Sequence, residues 1–426
     1  MTLHTIEPTV IIGAGFTGLF AALHLRHQSY IPEILLIDQR SQFVFKPMLY
    51  ELLTEELTEG VICPSYAELL KGSNIRFVQG DVTRLNLSEK VVELGTGAVY
   101  HYSNLVLGVG CVQGYLGTEG AEEHSFAFRS PEEVIVLQKH LKKCLQESLV
   151  TTDASLKQAL LTFAIVGAGP SGVEMAATLA DVLPRWYALL GGNPKEIKIV
   201  LINHATEILA GDANARLQKD ALEALNNRTI PVELKLGIGV KSVTKETVGY
   251  QKKDAAIGET TQVLATHTTI WTAGSSLNPL IESLHSQLAA DQIGKHGQLL
   301  VTHTLQLPNF PEVFAAGDCV EVQGQSQPAL AQVAYQQGAA IASNLIALKQ
   351  GKNLHDSTVT LRGTLMKLGL NNGVANLFDK VQIHGKAADL IRRATYLEML
   401  PTPLHNFKAT KEWLKEETFN RYLDGI

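Results

Sequence analysis

One glycine-rich turn occurs twice in this chain, beginning at Gly13 and again at Gly167. Thr9-Val10-Ile11-Ile12 is a short β-branched run suited to a buried parallel strand, and Gly13-Ala14-Gly15-Phe16-Thr17-Gly18 follows it directly. The glycines permit a tight turn, close approach of the backbone to a pyrophosphate, and close packing of the following helix, LFAALHLRH. That helix then offers its free N–H groups and the positive end of its dipole to the phosphates. The next apolar run, Glu33 to Ile37, ends at Asp38 and Gln39; Asp38 lies 20 residues past Gly18, where a carboxylate accepts hydrogen bonds from a ribose diol. Such a turn is weak evidence by itself. Strand before, helix after and acid at that distance make it specific.

The second copy is as complete. Phe163-Ala164-Ile165-Val166 leads into Gly167-Ala168-Gly169-Pro170-Ser171-Gly172, then VEMAATLADVL, then the strand IKIVLIN ending at Asn203. Two dinucleotide sites in one chain are needed when two cofactors must meet, as when a nicotinamide passes a hydride to a flavin. Three more segments fit: Leu105 to Cys111, Thr269 to Ser275 with Gly274 in its turn, and NFPEVFAAGDCVEV, whose Gly317 and Asp318 suit the ribityl and pyrophosphate region of a flavin.

Composition narrows the rest. A chain of 426 residues with 45% hydrophobic residues supports two or three packed domains. A net charge of −6 with no Lys/Arg run excludes a nucleic-acid footprint. MTLHTIEPTV has neither the basic nor the apolar region of a signal peptide, so the expectation is an intracellular chain starting here. Cys63, Cys111, Cys144 and Cys319 form no C-x-x-C pair and have no ligand-like spacing with histidine; they read as buried apolar side chains, and no metal is expected. His24 and His27 read as solvated surface.

The order of these motifs resembles the two-dinucleotide flavoproteins of glutathione-reductase type, without their C-x-x-x-x-C disulfide. FVFKPMLYELLTEEL (43–57), GPSGVEMAATLAD and ALAQVAYQQGAAIASNL (329–345) resemble the type II NAD(P)H:quinone oxidoreductases, and the tail from Gly385 is similar to their cyanobacterial and plastid branch, which includes demethylphylloquinone reductases. The resemblance implies an α/β chain with two Rossmann-type domains: FAD held by 1–120 and 290–345, NAD(P)H by 121–289, and a C-terminal region 346–426 with amphipathic helices. It implies FAD on Gly13, Gly15, Phe16, Thr17, Gly18, Asp38, Gln39, Lys46, Gly317 and Asp318, with Pro47 and Tyr50 close by. NADH or NADPH is implied on Gly167, Gly169, Pro170, Ser171, Gly172, Asn203 and Gly274. Glu174 is placed near nicotinamide and flavin, to orient the cofactor or relay protons. Gln332 and Gln336, four apart on a helix, are placed to donate to the two carbonyls of a membrane quinone. A homodimer is also implied. Asn203 stands where a carboxylate would repel a 2′-phosphate, so the nucleotide site reads as permissive toward NADPH. Two alternatives stay open at this point: a sulfide:quinone reductase-like enzyme relying on Cys319, and a redox sensor that holds both cofactors without turnover.

After Gly385, Ala387, Leu390, Ile391, Ala394 and Leu397 fall on one helical face, with Lys386, Arg392 and Arg393 off it. After PTP, a second helix carries Phe407, Trp413, Leu414 and Phe419 beside Lys408, Lys411 and Lys415. The expectation is peripheral attachment to the cytoplasmic side of a membrane, thylakoid or plasma, with packing on the body or on a second subunit as the alternative.

Overall fold

The computed structural model describes residues 7–211, 214–254, 260–377 and 381–423, with no side chain described at 404 or beyond 414. Two units emerge: one from Met1–Val44, Cys63–Val112 and Ser276–Leu361, the other from Phe45–Ile62, Gln113–Ser275 and Arg362–Ile426. Packing thus groups the chain differently from boundaries drawn at 120, 289 and 345. Residues 45–62 and everything from 362 on belong with the second Gly-rich turn.

The first unit is built on a sheet in which Thr9–Ile12 lies between Ile34–Asp38 and Asn104–Leu107, all parallel. Ile75–Gln79 extends one side, and Phe310–Ala315 returns from far along the chain to extend the other, again parallel. Val10, Ile11, Leu35, Leu36 and Val106 are fully buried, which is why these strands read as continuous apolar runs rather than alternating ones. Helix Phe16–His27 packs along helix Ala331–Lys349 so closely that a side chain at Gly338 would overlap the Thr17 carbonyl.

The second unit repeats the plan with four strands: Thr162–Val166 lies between Lys198–Ile202 and Thr268–Trp271, and Glu233–Lys235 pairs outside Lys198–Ile202, all parallel. Both sheets therefore place the strand before the Gly-rich turn where strand order reverses, the position at which open α/β sheets hold ligands. The C-terminal region was expected to carry amphipathic helices from Gly385 on, and helices do begin there. An antiparallel sheet of Gly363–Lys367, Gly373–Leu377 and Val381–His384, which the sequence did not suggest, precedes helices Gly385–Glu398 and Pro403–Leu423.

Candidate active site

The two turns share a backbone scheme. Gly13 N–H donates to Ile37 O and Gly108 N–H to Ile12 O, both at 2.8 Å; Gly167 N–H donates to Ile202 O at 2.8 Å and Thr272 N–H to Val166 O at 2.9 Å. Gly13 and Gly167 have φ of +91° and +102°, a region only glycine adopts without strain, and a side chain at Gly18 or Gly172 would overlap the carbonyl of Gly13 or Gly167. The helices that follow, Phe16–His27 and Pro170–Leu189, have no side-chain cap and no acid in the first turn. Helices 131–150, 154–160 and 215–226 are capped by Ser130, Asp153 and Asn214. Uncapped N–H groups with open space over Gly15 fit a pyrophosphate, which supplies the missing acceptors.

Beside the first turn, Asp38 Oδ2 accepts from Ala14 N–H at 2.7 Å and Oδ1 from Arg40 N–H at 2.9 Å. Burial raises its carboxyl above the ordinary value, and these donors oppose the rise. Gln39 is exposed. Phe16 packs its ring edge-on to Phe43. Thr17, expected to face the cofactor, is 3% exposed; its side chain fills the space between Gly108 and Gly317. Lys46 is exposed on a short turn of the second unit. Tyr50 is buried there too, and its hydroxyl donates to Ser171 O at 3.0 Å, so it braces the second turn. Tyr66, which the sequence did not single out, braces the first by donating to Ala14 O at 2.8 Å.

Gly317 and Asp318 follow strand Phe310–Ala315. Gly317 N–H donates to Gln337 Oε1 at 2.7 Å, and Gln337 Nε2 donates to Gln327 Oε1 at 2.7 Å. Gln337, not Gln332 or Gln336, is thus the buried glutamine of the AYQQG stretch. Gln336 Nε2 donates to Gln332 O and Thr360 O, and its Oε1 accepts from Thr360 N–H, all at 3.0 Å. Its amide is satisfied by main chain in this conformation. Cys63, Cys144 and Cys319 are buried as expected, but Cys111 is partly exposed. Burial pushes the Cys319 thiol up to about 12, so it is not a nucleophile near neutral pH. His24 is half-buried against the Tyr335 ring rather than solvated.

In the second unit Gly274 has φ of +76° just after Trp271, whose indole N–H donates to Ala273 O at 2.7 Å. Asn203 Oδ1 accepts from Ala168 N–H at 3.1 Å, and its Nδ2 donates to Glu207 O at 3.0 Å. Pro170 and Ser171 open the helix, Ser171 exposed, and Glu174 lies one turn in. Its Oε1 accepts the Lys367 N–H at 2.8 Å, and burial pushes its carboxyl up to about 7, against the lowering effects of that N–H and of Arg392.

Nearby is a buried ion cluster that sequence reasoning missed. Lys367 lies 3.3 Å from Glu51 and 2.8 Å from Glu56. Arg392 pairs with Glu51 and, at 3.2 Å, with Asp389; Arg393 reaches Asp389 at 2.8 Å and Glu56 at 3.5 Å. Burial works to raise the Glu51 carboxyl, but Arg392 and Lys367 hold it down to about 2. Three carboxylates face three cations; Glu174 forms no ion pair among the described residues, so burial dominates and its shift runs the other way. Lys367 was unmarked and Arg392 was read as flanking an apolar face, because charges without a local partner read as solvent-facing.

The cluster also turns the tail helix over. Its buried residues are Ala388, Asp389 and Arg392, while Leu390 is 65% exposed and Ala387 and Ala394 also face outward. The arginine expected to flank an apolar face is the buried anchor. On the last helix Trp413, expected outside, is buried beneath the Arg393 guanidinium, whereas Phe407 and Leu414 are 67% and 62% exposed. The side chains of Lys415 and Phe419 lie outside the described residues. Among the described residues no helix is long and apolar enough to cross a membrane.

The family model for pyridine nucleotide-disulphide oxidoreductases matches residues 7–338. Among curated proteins, the demethylphylloquinone reductase NdbB of Synechocystis is 32% identical over 95% of both chains, and the type II NADH:quinone oxidoreductase Ndh of Mycobacterium tuberculosis is 30% identical over 81% of this chain and 73% of its own. The chain belongs to the pyridine nucleotide-disulphide oxidoreductases, among the type II NADH:quinone oxidoreductases. The family fold is confirmed at longer range by the structure of NDH2 from Plasmodium falciparum in complex with NADH, which superposes with a TM-score of 0.86 at 17% identity over 96% of this chain and 98% of that one. A sulfide:quinone oxidoreductase from Aquifex aeolicus shares the fold with a TM-score of 0.73 at 18% identity over 91% and 89%.

Proposed function

We propose that this chain is an FAD-dependent enzyme that oxidises NAD(P)H and reduces a membrane quinone, of demethylnaphthoquinone or plastoquinone type, without pumping protons. The carrying observation is the pair of uncapped Gly-rich turns, each with its own side-chain acceptor beside it. FAD belongs with the first unit, near Asp38 and Asp318, and the nicotinamide dinucleotide with the second, near Asn203 and Gly274. Bound flavin supplies the step between a two-electron hydride donor and a quinone.

The net reaction, NAD(P)H plus H⁺ plus quinone giving NAD(P)⁺ plus quinol, consumes one proton from the medium. Glu174, with its carboxyl near 7, is populated in both protonation states at neutral pH and suits the role of taking up and passing on that proton. Gln332 and Gln336 serve the quinone carbonyls, which compete with the Thr360 main chain for the Gln336 amide. Outward Leu390, Phe407 and Leu414 support peripheral attachment, on the cytoplasmic face of a thylakoid or plasma membrane. The inert Cys319 thiol weighs against sulfide as donor.

Stopped-flow spectroscopy separates the half-reactions. Glu174→Gln should slow flavin reduction by NADH about 100-fold and remove the limb near pH 7 from its rate profile, whereas Gln336→Ala should raise the quinone KM several-fold and leave flavin reduction unchanged. Equal losses in both half-reactions for both variants would overturn these roles. Bleaching by sulfide would point to the sulfide reductase, and reduced flavin that persists after quinone is added would point to a sensor.

A further inference from the structure

The carboxylate assigned to FAD is held by an unusual donor. Cys111, partly exposed and following the turn at Gly108 and Gly110, lies with Sγ 3.4 Å from Asp318 Oδ2, its S–H donating. Gln337 fixes the backbone just before that carboxylate, at Gly317. Main chain and side chain at 317–318 are thus pinned from two sides. We propose that Cys111 is a positioning residue for FAD: by holding Oδ2 of Asp318, it presents the other oxygen to the hydroxyls of the ribityl chain. This rests on the reading that FAD occupies the first unit.

An ionised carboxylate beside a ligand needs its oxygens held in place. It is acceptor-only, and the torsion that swings its two oxygens is soft, so with no donor on one of them the flavin would have to order the group on binding. A lysine or arginine at 111 would fix the carboxylate but also bring a full charge that competes for the oxygen meant for the ligand. A thiol is a weak, uncharged donor. It fixes orientation and leaves most of the acceptor strength of Asp318 for the hydroxyls.

The test uses the full chain, stripped of flavin and titrated with FAD. Cys111→Val keeps volume and loses the donor; Cys111→Ser keeps a donor. The expected result is FAD binding about fivefold weaker in Cys111→Val and within about twofold of wild type in Cys111→Ser, with the melting temperature of both flavin-free variants unchanged. Valine binding FAD as tightly as wild type, or serine as weakly as valine, would overturn the positioning role; so would a matching loss of flavin-free stability, which would mark Cys111 as packing alone. A wild-type protein that takes up no FAD would overturn the placement of FAD itself.

Discussion

The two Gly-rich turns are nearly the same object down to their supports. In each, the first glycine donates to the neighbouring strand, and the N–H of the alanine after it is taken by a side chain from that strand's end: Asp38 for Ala14, Asn203 for Ala168. Each alanine carbonyl is also occupied, by the Tyr66 hydroxyl in one unit and the Leu209 N–H at 2.7 Å in the other. The units differ in charge at one atom pair. Asp38 presents only acceptors, whereas Asn203 accepts once and donates once, tying the loop at Glu207 to the turn. The backbone hydrogen bonds from the first glycine are thus the same in both turns, and the side chain that takes the alanine N–H is what differs.

Blocking one turn at a time tests whether the two sites act separately. Gly18→Ala and Gly172→Ala each drive a methyl group into the carbonyl of the turn's first glycine. Gly18→Ala should yield protein without flavin, and Gly172→Ala protein that keeps flavin but is no longer bleached by NADH; flavin content and bleaching decide, and identical losses would mean the turns are not separable. Next in size is Arg392→Met, which removes one of the two cations paired with the buried Glu51 and should cost about 3–5 kcal/mol at pH 7 by urea denaturation. The pH dependence has a definite sign. The lowered carboxyl of Glu51 contributes stability that is present above the usual carboxylate range and lost as pH falls toward 2, so the gap between wild type and variant should narrow on acidification. Smallest is Asn203→Asp, which copies the first unit's acceptor into the second. It should shift kcat/KM toward NADH over NADPH by about 1–3 kcal/mol, and a wild type that already rejects NADPH by several hundredfold would remove the contrast between the two sites.

How far the sequence could be read depended on the range of the forces involved. Strands 9–12 and 162–166, the helices after them and the acceptors at 38 and 203 announce themselves, because period, glycine and side-chain type are local signals. The partners of Gln336 and Gln337 were not legible. Both lie on a helix that was foreseen, but which glutamine turns inward is decided by Gly317 and Thr360, which meet them only in the folded chain. The tail misled for the same reason. Its apolar stripe was correctly located, yet the helix buries the opposite face, because pairing Arg392 with Glu51 across more than 300 residues outweighs burying Leu390. The family assignment by contrast needed no long-range contact, since the motifs that carry it are contiguous.

The strand Phe310–Ala315 completes the first sheet beside Asn104–Leu107, from which it is separated by about 200 residues of chain that include the whole second sheet. Loop closure over that span adds little to the equilibrium cost, but it orders events on the ribosome. At roughly 5–20 residues per second, all four strands of the later sheet emerge and can pair while the earlier sheet still lacks Phe310–Ala315 and the Asp318 that follows it. A nascent chain would therefore complete the sheet beside the second Gly-rich turn several seconds, at that rate, before it carries the strand and Asp318 that complete the first. Until Phe310–Ala315 is made, the first sheet keeps an open edge at Asn104–Leu107 that chaperones and proteases can reach.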